Sequence, residues 1–276
     1  MERRGWKFLL LLPLAAVLGI FLVLPLLFVL YDSFWAAGRL SAANYLLVFR
    51  KGLYSEALRT SLVLSVSTAF IGAALGLPLS YLVHRSRAPW RDLLLAITAV
   101  PLTFSGLVIG FAFIVLLGTS GFITMLLERF FGINPLEFSA FLFTWKGLVV
   151  AYLYFLIPRM ILTMVAAWSN ADWSQVEAAM SLGASFPTIL VKILFPMLGP
   201  SLLAGSSLLF AVSMGAFGTA FALTGTAVKI LPLVIYNQIS DVTVEVSRAN
   251  ALAIVLTVVT TLVIILYERS FARKQA

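Results

Sequence analysis

Three features of this chain predict an all-α membrane protein with six transmembrane helices: its composition, the length of its apolar runs, and one polar, helix-patterned interruption among them. Of 276 residues, 62% are hydrophobic and 11% charged, and the mean hydropathy is +1.06, whereas roughly a quarter of a soluble domain is charged. In lipid every main-chain N–H and C=O must find its partner within the protein, which selects a helix of about 20 residues for each crossing. The interruption, residues 170–196, turns polar while keeping a helical alternation, and it falls between the fourth and fifth runs.

The first run, 8–31, follows Arg3, Arg4 and Lys7 and so has the outline of a secretory signal. Its 24 residues exceed the roughly 7–15-residue apolar core of such peptides, so it reads as a retained span. The second run, 61–84, closes on His84 beside Arg85 and Arg87, and the third, 93–117, contains Pro101 and Gly110. The fourth, 145–168, is bounded by Trp145 and Trp168, and indoles favour the membrane interface. The fifth, 199–223, carries Ser213, Gly215 and Gly218 among several small residues, at which helices can approach closely or line a path. The sixth, 249–267, ends at Tyr267. Between the last two, residues 230–239 are apolar but too short to cross, which predicts a helix lying in the outer mouth of the bundle. The whole reads as a single transmembrane domain.

Orientation follows from the basic residues beside short loops. With the N-terminus cytoplasmic, ten Lys and Arg fall on the inner face and eight on the outer, and the inner ones crowd against span ends. Both termini are therefore expected inside. The net charge of +8 is accounted for by basic residues facing anionic lipid, without a nucleic acid.

Several chemistries are excluded. The chain has no cysteine and one histidine, so disulfides, thiolate sites and histidine clusters for a metal cannot be built, and no cofactor is expected. His84 reads as an interfacial residue. A Walker A loop ends in Gly-Lys-Ser/Thr, and no Gly-Lys pair occurs here. Any ATP hydrolysis must take place on another polypeptide.

The interruption thus has an address on the cytoplasmic side. Asp172 suits a helix cap, Gly183 suits the turn that ends a short helix, and residues 188–192 suit a second one before Pro196 and Pro200 bend the approach to the fifth span. Trp168 to Val191 contains no Lys or Arg, whereas a helix lying on the inner leaflet should be rich in both. Docking of a partner is the better reading.

The pattern Glu177-Ala178-Ala179, three residues, Gly183, nine residues, Ile193, Leu194, Phe195, Pro196 resembles the signature loop of the membrane subunits of binding-protein-dependent ABC importers, with Phe195 where leucine is usual. Asn44-Tyr45, Thr60-Ser61-Leu62, Pro101, Gly110 and the small residues from Ser213 to Gly218 resemble the same six-helix permease core over residues 8–270. Within that family the resemblance is nearest to permeases of polyamine, ferric iron and 2-aminoethylphosphonate importers. It implies a multi-pass protein of the bacterial cytoplasmic (inner) membrane. Its coupling helix, between helices four and five, would dock into cytoplasmic ABC ATPase subunits through Glu177, Ala178, Ala179 and Gly183. It also implies a second permease subunit, identical or homologous, and an extracytoplasmic solute-binding protein. Rocking of the two bundles, driven by ATP, would open a central path alternately to either side.

Arg159 is the one charge well inside a span, 14 residues after Trp145 and nine before Trp168. A cation at the bilayer centre costs about 2.5–3.5 kcal/mol, which makes it a functional candidate; snorkelling to inner headgroups is the competing account. With Arg159, the candidates for the translocation path are Ser213, Gly215 and Gly218. No Asp or Glu falls within any of the six runs, so an anionic or zwitterionic cargo such as a phosphonate suits this chain better than a polyamine. Two other classes remain. An intramembrane hydrolase would lack a base, while a secondary transporter or channel would have no use for a docking loop.

Overall fold

We describe residues 5–36, 38–225, 227–240 and 245–275 in a computed structural model; Arg3 and Arg4 lie outside the described residues. The helices are α1 (Gly5–Leu18), α2 (Leu24–Ser33), α3 (Ala43–Arg50), α4 (Gly52–Arg85), α5 (Trp90–Thr103), α6 (Gly106–Leu117), α7 (Phe122–Phe131), α8 (Pro135–Ala140), α9 (Trp145–Ser169), α10 (Trp173–Ser181), α11 (Phe186–Ile189), α12 (Phe195–Gly215), α13 (Gly218–Thr224), α14 (Leu231–Ser240) and α15 (Val246–Gln275). A short antiparallel ribbon, β1 (Trp35–Ala36) and β2 (Arg39–Leu40), follows α2. Six stretches are long and apolar enough to cross a membrane: Leu12–Ser33, Gly52–Arg85, Gly106–Phe131, Trp145–Ser169, Phe186–Gly215 and Val246–Tyr267.

Prolines decide how these stretches run. Pro25 and Pro196 have no N–H for the carbonyl four residues back, and in both cases the turn ahead widens into a π turn, Gly19–Val23 and Leu190–Leu194. The chain stays helical through each. As a result α1 and α2 form one rod, and α11 runs straight into α12.

Three helices depart from the apolar runs. α4 begins at Gly52, because residues 52–60 are helical but carry Glu56 and Arg59 and so extend the helix beyond the apolar part. The expected third span, 93–117, is not one helix: it divides at Phe104 and Ser105, where the backbone is extended. Pro101 weakens the end of α5, and the Ser105 hydroxyl accepts from Val108 N–H to cap α6. The expected fifth span, 199–223, begins earlier and divides at Ala216 and Phe217, with α13 restarting at Gly218. Hydropathy is blind to both breaks, since every residue around them is apolar or small.

The core forms where α4, α9 and α12 meet. Leu148, Tyr152, Leu156, Met160 and Met164 recur every four residues on α9 and are all fully buried, a stripe at helical spacing that faces α4 and α12. In α9, 61% of the apolar window is buried, against none of Leu12–Ser33. The first rod therefore stands outside the bundle. It is tied at its end by Asn250, which donates to Asp32 Oδ2 at 2.8 Å, and by Asn44, which donates to the Ser33 carbonyl at 3.1 Å.

The apolar segment at 230–239 is a helix, as its sequence predicts, and α14 is sunk into the bundle with Leu231 fully buried. Its first N–H donates to Ser61 Oγ at 2.8 Å. Lys229, just before it, pairs with Glu56 at 2.9 Å on the exposed surface.

Candidate functional site

The segment between the fourth and fifth long helices is capped at both ends by its own sequence. Asp172 Oδ1 accepts from Ser174 N–H at 3.1 Å and from Ser174 Oγ at 2.6 Å, and Oδ2 accepts from Gln175 Nε2 at 3.1 Å. These donors, the Ser174 hydroxyl foremost, hold the Asp172 carboxyl below the usual carboxylate range. At the other end Gly183 lies in the left-handed region with φ +77°. Its N–H donates to Met180 C=O at 2.9 Å, and that of Ala184 to Ala179 C=O at 3.0 Å, the paired bonds of a Schellman stop. The expected second helix at 188–192 is not separate. α11 starts at Phe186 and continues through the π turn into α12.

Aromatic rings brace α10 to the bundle. The Trp173 ring stacks on His84 at 6.0 Å and 8° and on Trp168 at 5.9 Å and 18°. Trp173 Nε1 donates to the Trp168 carbonyl at 3.3 Å, and Trp168 Nε1 to Ser80 Oγ at 3.0 Å. His84 ends α4 and Trp168 ends α9, so α10 is clamped to the ends of both. Residue-by-residue reading missed this clamp. His84 read as an interfacial residue and Trp173 was not singled out, although an indole opening an otherwise polar helix was the available signal.

With Trp173 and Val176 turned inward, the opposite face is left to solvent. Glu177, Ala178 and Gly183 are exposed, and Ala179 is half-buried against the core. Around them Leu182 is 88% exposed, Phe186 70% and Met180 55%. Apolar side chains are thus concentrated beside a carboxylate on the exposed side of this segment, the composition that marks interaction surfaces in general.

A second feature lies within the bundle. The break at Phe104 and Ser105 faces the break at Ala216 and Phe217, and between them is a cleft of about 280 Å³ with Arg159 as its only charged lining residue. Gly215 and Gly218 line the same cleft. Ser213 does not; it is buried and accepts a hydrogen bond from Thr68 Oγ1 at 2.9 Å, joining α4 to α12. The Ala216 carbonyl, freed at the end of α12, is taken up from within the protein by Tyr152 Oη, which donates to it at 2.7 Å. Thr219 Oγ1 donates to Gly106 C=O at 2.8 Å and ties the start of α13 to that of α6. The helix starts are in contact: a Cβ on Gly218 would come to 2.8 Å from Leu107 N.

Arg159 Nη1 donates to the Phe155 carbonyl at 2.8 Å, and the guanidinium lies 5.5 Å from the Phe155 ring centre. Among the described residues no carboxylate comes within 4.0 Å of it. Nor do the described residues hold a group of His, Asp or Glu side chains that could bind a metal.

Comparison with known proteins bears on the family of the chain. Residues 72–275 match the family described as binding-protein-dependent transport system inner membrane component. The molybdenum transport system permease protein ModB of Haemophilus influenzae is 28% identical over 212 residues, covering 75% of this chain and 90% of that one. The spermidine/putrescine transport system permease protein PotB of the same organism is 28% identical over 262 residues, 91% of this chain and 88% of its own length. In fold, the chain is similar to a chain in the crystal structure of a bacterial alginate ABC transporter in complex with an alginate pentasaccharide-bound periplasmic protein, with a TM-score of 0.76 over 99% of this chain and 96% of that one at 16% identity. With three-quarters of its length matched and its six apolar helices in place, the chain belongs to the binding-protein-dependent inner membrane components, the permease subunits of ABC importers.

Proposed function

We propose that this permease turns ATP hydrolysis on a separate subunit into cargo movement through α10, which acts as the coupling helix. Glu177, Ala178, Ala179 and Gly183 form its docking element. The observation that carries this reading is the combination of an exposed apolar and acidic face on α10 with a rigid aromatic clamp behind it. A docking face on a loose tether would absorb motion of the partner. Clamped by Trp173, α10 would pass a push directly to the ends of α4 and α9.

In this reading α10 and both termini face the cytoplasm, where two ATPase subunits bind. A second permease subunit, identical or homologous, completes the path, and a solute-binding protein delivers a small solute from outside. The cleft bounded by Arg159, Gly215 and Gly218 belongs to the path, because irregular backbone at membrane depth is tolerated where it lines a cavity. Ser213 contributes by packing α12 against α4. Closure of the ATPases would rock the two bundles as rigid bodies and expose the path alternately to each side.

Gly183→Trp and Glu177→Lys test the docking role, with ATPase co-purification and ATP-driven uptake as the readouts. Both variants should lose the ATPase and uptake together. Uptake driven by an ion gradient alone, in liposomes holding only this chain, would instead establish a secondary transporter or channel.

A further inference from the structure

We propose that the cleft at the two helix breaks is a binding subsite for a small oxyanion, with Arg159 as the group that recognises it. The proposal rests on the cleft belonging to the translocation path and names the class of cargo that path takes.

Three irregularities converge on this cleft, and each is costly in lipid: a cation, a break between α5 and α6, and a break between α12 and α13. Each is separately anchored. One N–H of Arg159 is held by the Phe155 carbonyl, which fixes the guanidinium against its own helix and leaves most of its five N–H donors for another acceptor. No carboxylate of the described chain neutralises it, and the other lining residues are apolar or carry one hydroxyl, that of Thr219, already donated to Gly106 C=O. The cleft thus offers positive charge, several N–H donors and no competing acid. A tetrahedral oxyanion such as sulfate, molybdate or a phosphonate satisfies that set, since a planar guanidinium can meet two of its oxygens at once. A polyamine would meet like charge with nothing to offset it. The volume of about 280 Å³ suits a small anion and not a chain of sugars.

The absence of cysteine makes the test direct. Gly215 lines the cleft, and a Cβ there meets nothing within 4 Å, so Gly215→Cys places a single thiol beside Arg159. In proteoliposomes of phosphatidylcholine, that thiol is labelled with an anionic sulfonatoethyl methanethiosulfonate and with its cationic trimethylammonium counterpart. The expected result is an anionic-to-cationic rate ratio roughly tenfold higher with Arg159 than with Arg159→Gln. Arg159→Lys should restore most of it, and sulfate or molybdate, but not spermidine, should slow labelling. A ratio indifferent to Arg159→Gln, or protection by spermidine alone, overturns the proposal. Protection by phosphatidylglycerol in the liposomes but not by free sulfate would assign the anion to lipid, and overturns it as well. ATPase co-purification with the same Gly215→Cys protein reports separately on the importer reading, so the failure of one is distinguishable from the failure of the other.

Discussion

Replacing Trp173 with alanine should free α10 from the bundle without unfolding the bundle itself. The indole makes two stacked contacts, at 6.0 Å with His84 and at 5.9 Å with Trp168, and such pairs contribute about 0.5–1.5 kcal/mol each beyond the area they bury. Its Nε1 bond to the Trp168 carbonyl, at 3.3 Å, adds about 0.5–1.5 kcal/mol. The sum, about 1.5–4.5 kcal/mol, raises the detached population of α10 roughly 10- to 2,000-fold. Hydrogen–deuterium exchange of the chain in nanodiscs measures this directly, because amides from Gln175 to Leu182 exchange through local opening. They should speed up by that factor in Trp173→Ala while the amides of α9 hold. Trp173→Phe keeps a ring in the stack and loses the N–H, so the loss should fall to about 1 kcal/mol, roughly fivefold. Unchanged exchange across α10 in Trp173→Ala would refute the clamp, and with it the rigid link from the exposed face of α10 to α4 and α9.

Other consequences follow from single contacts. Gly183→Ala puts a Cβ into empty space, so its cost is the left-handed backbone alone, about 1 kcal/mol, and exchange at Leu182 to Ala184 should rise about fivefold; Gly183→Asn should cost less. Tyr152→Phe leaves the Ala216 carbonyl without its donor inside the bundle, and thermal unfolding in detergent should show a loss of about 1–3 kcal/mol. For Asp172 the folded carboxyl titrates below its ordinary value, so its capping contribution is complete above that value and declines as pH falls through the folded one. Protection of α10 should accordingly weaken on acidification below about pH 4, and Asp172→Asn should flatten that dependence.

The segment 170–196 was more legible in the sequence than the cleft at Arg159. A cap and a glycine stop are local patterns, and Asp172 caps α10 and Gly183 ends it as those patterns predict. The cleft is not local. The breaks at Phe104 and at Ala216 lie in apolar surroundings, and what stabilises them is distant in the chain: Tyr152 on α9 and Thr219 against Gly106. Arg159 stood out as an intramembrane charge, yet only the fold brings it beside Gly215 and Gly218, and the same fold moves Ser213 into the packing of α4 on α12. His84 and Trp173 are 89 residues apart and show no pairing signal until they stack.

The central claim, that α10 is the contact through which this permease is driven, is tested most directly by cross-linking. A single cysteine at Ala178, which is exposed on α10, or at Val176, which is 8% exposed and faces the bundle, carries a benzophenone in the otherwise cysteine-free chain. Irradiation of the assembled transporter should join the ATPase subunit to position 178 and leave position 176 unlinked. Absence of an ATPase adduct at 178, in a complex that still hydrolyses ATP and imports cargo, would contradict it.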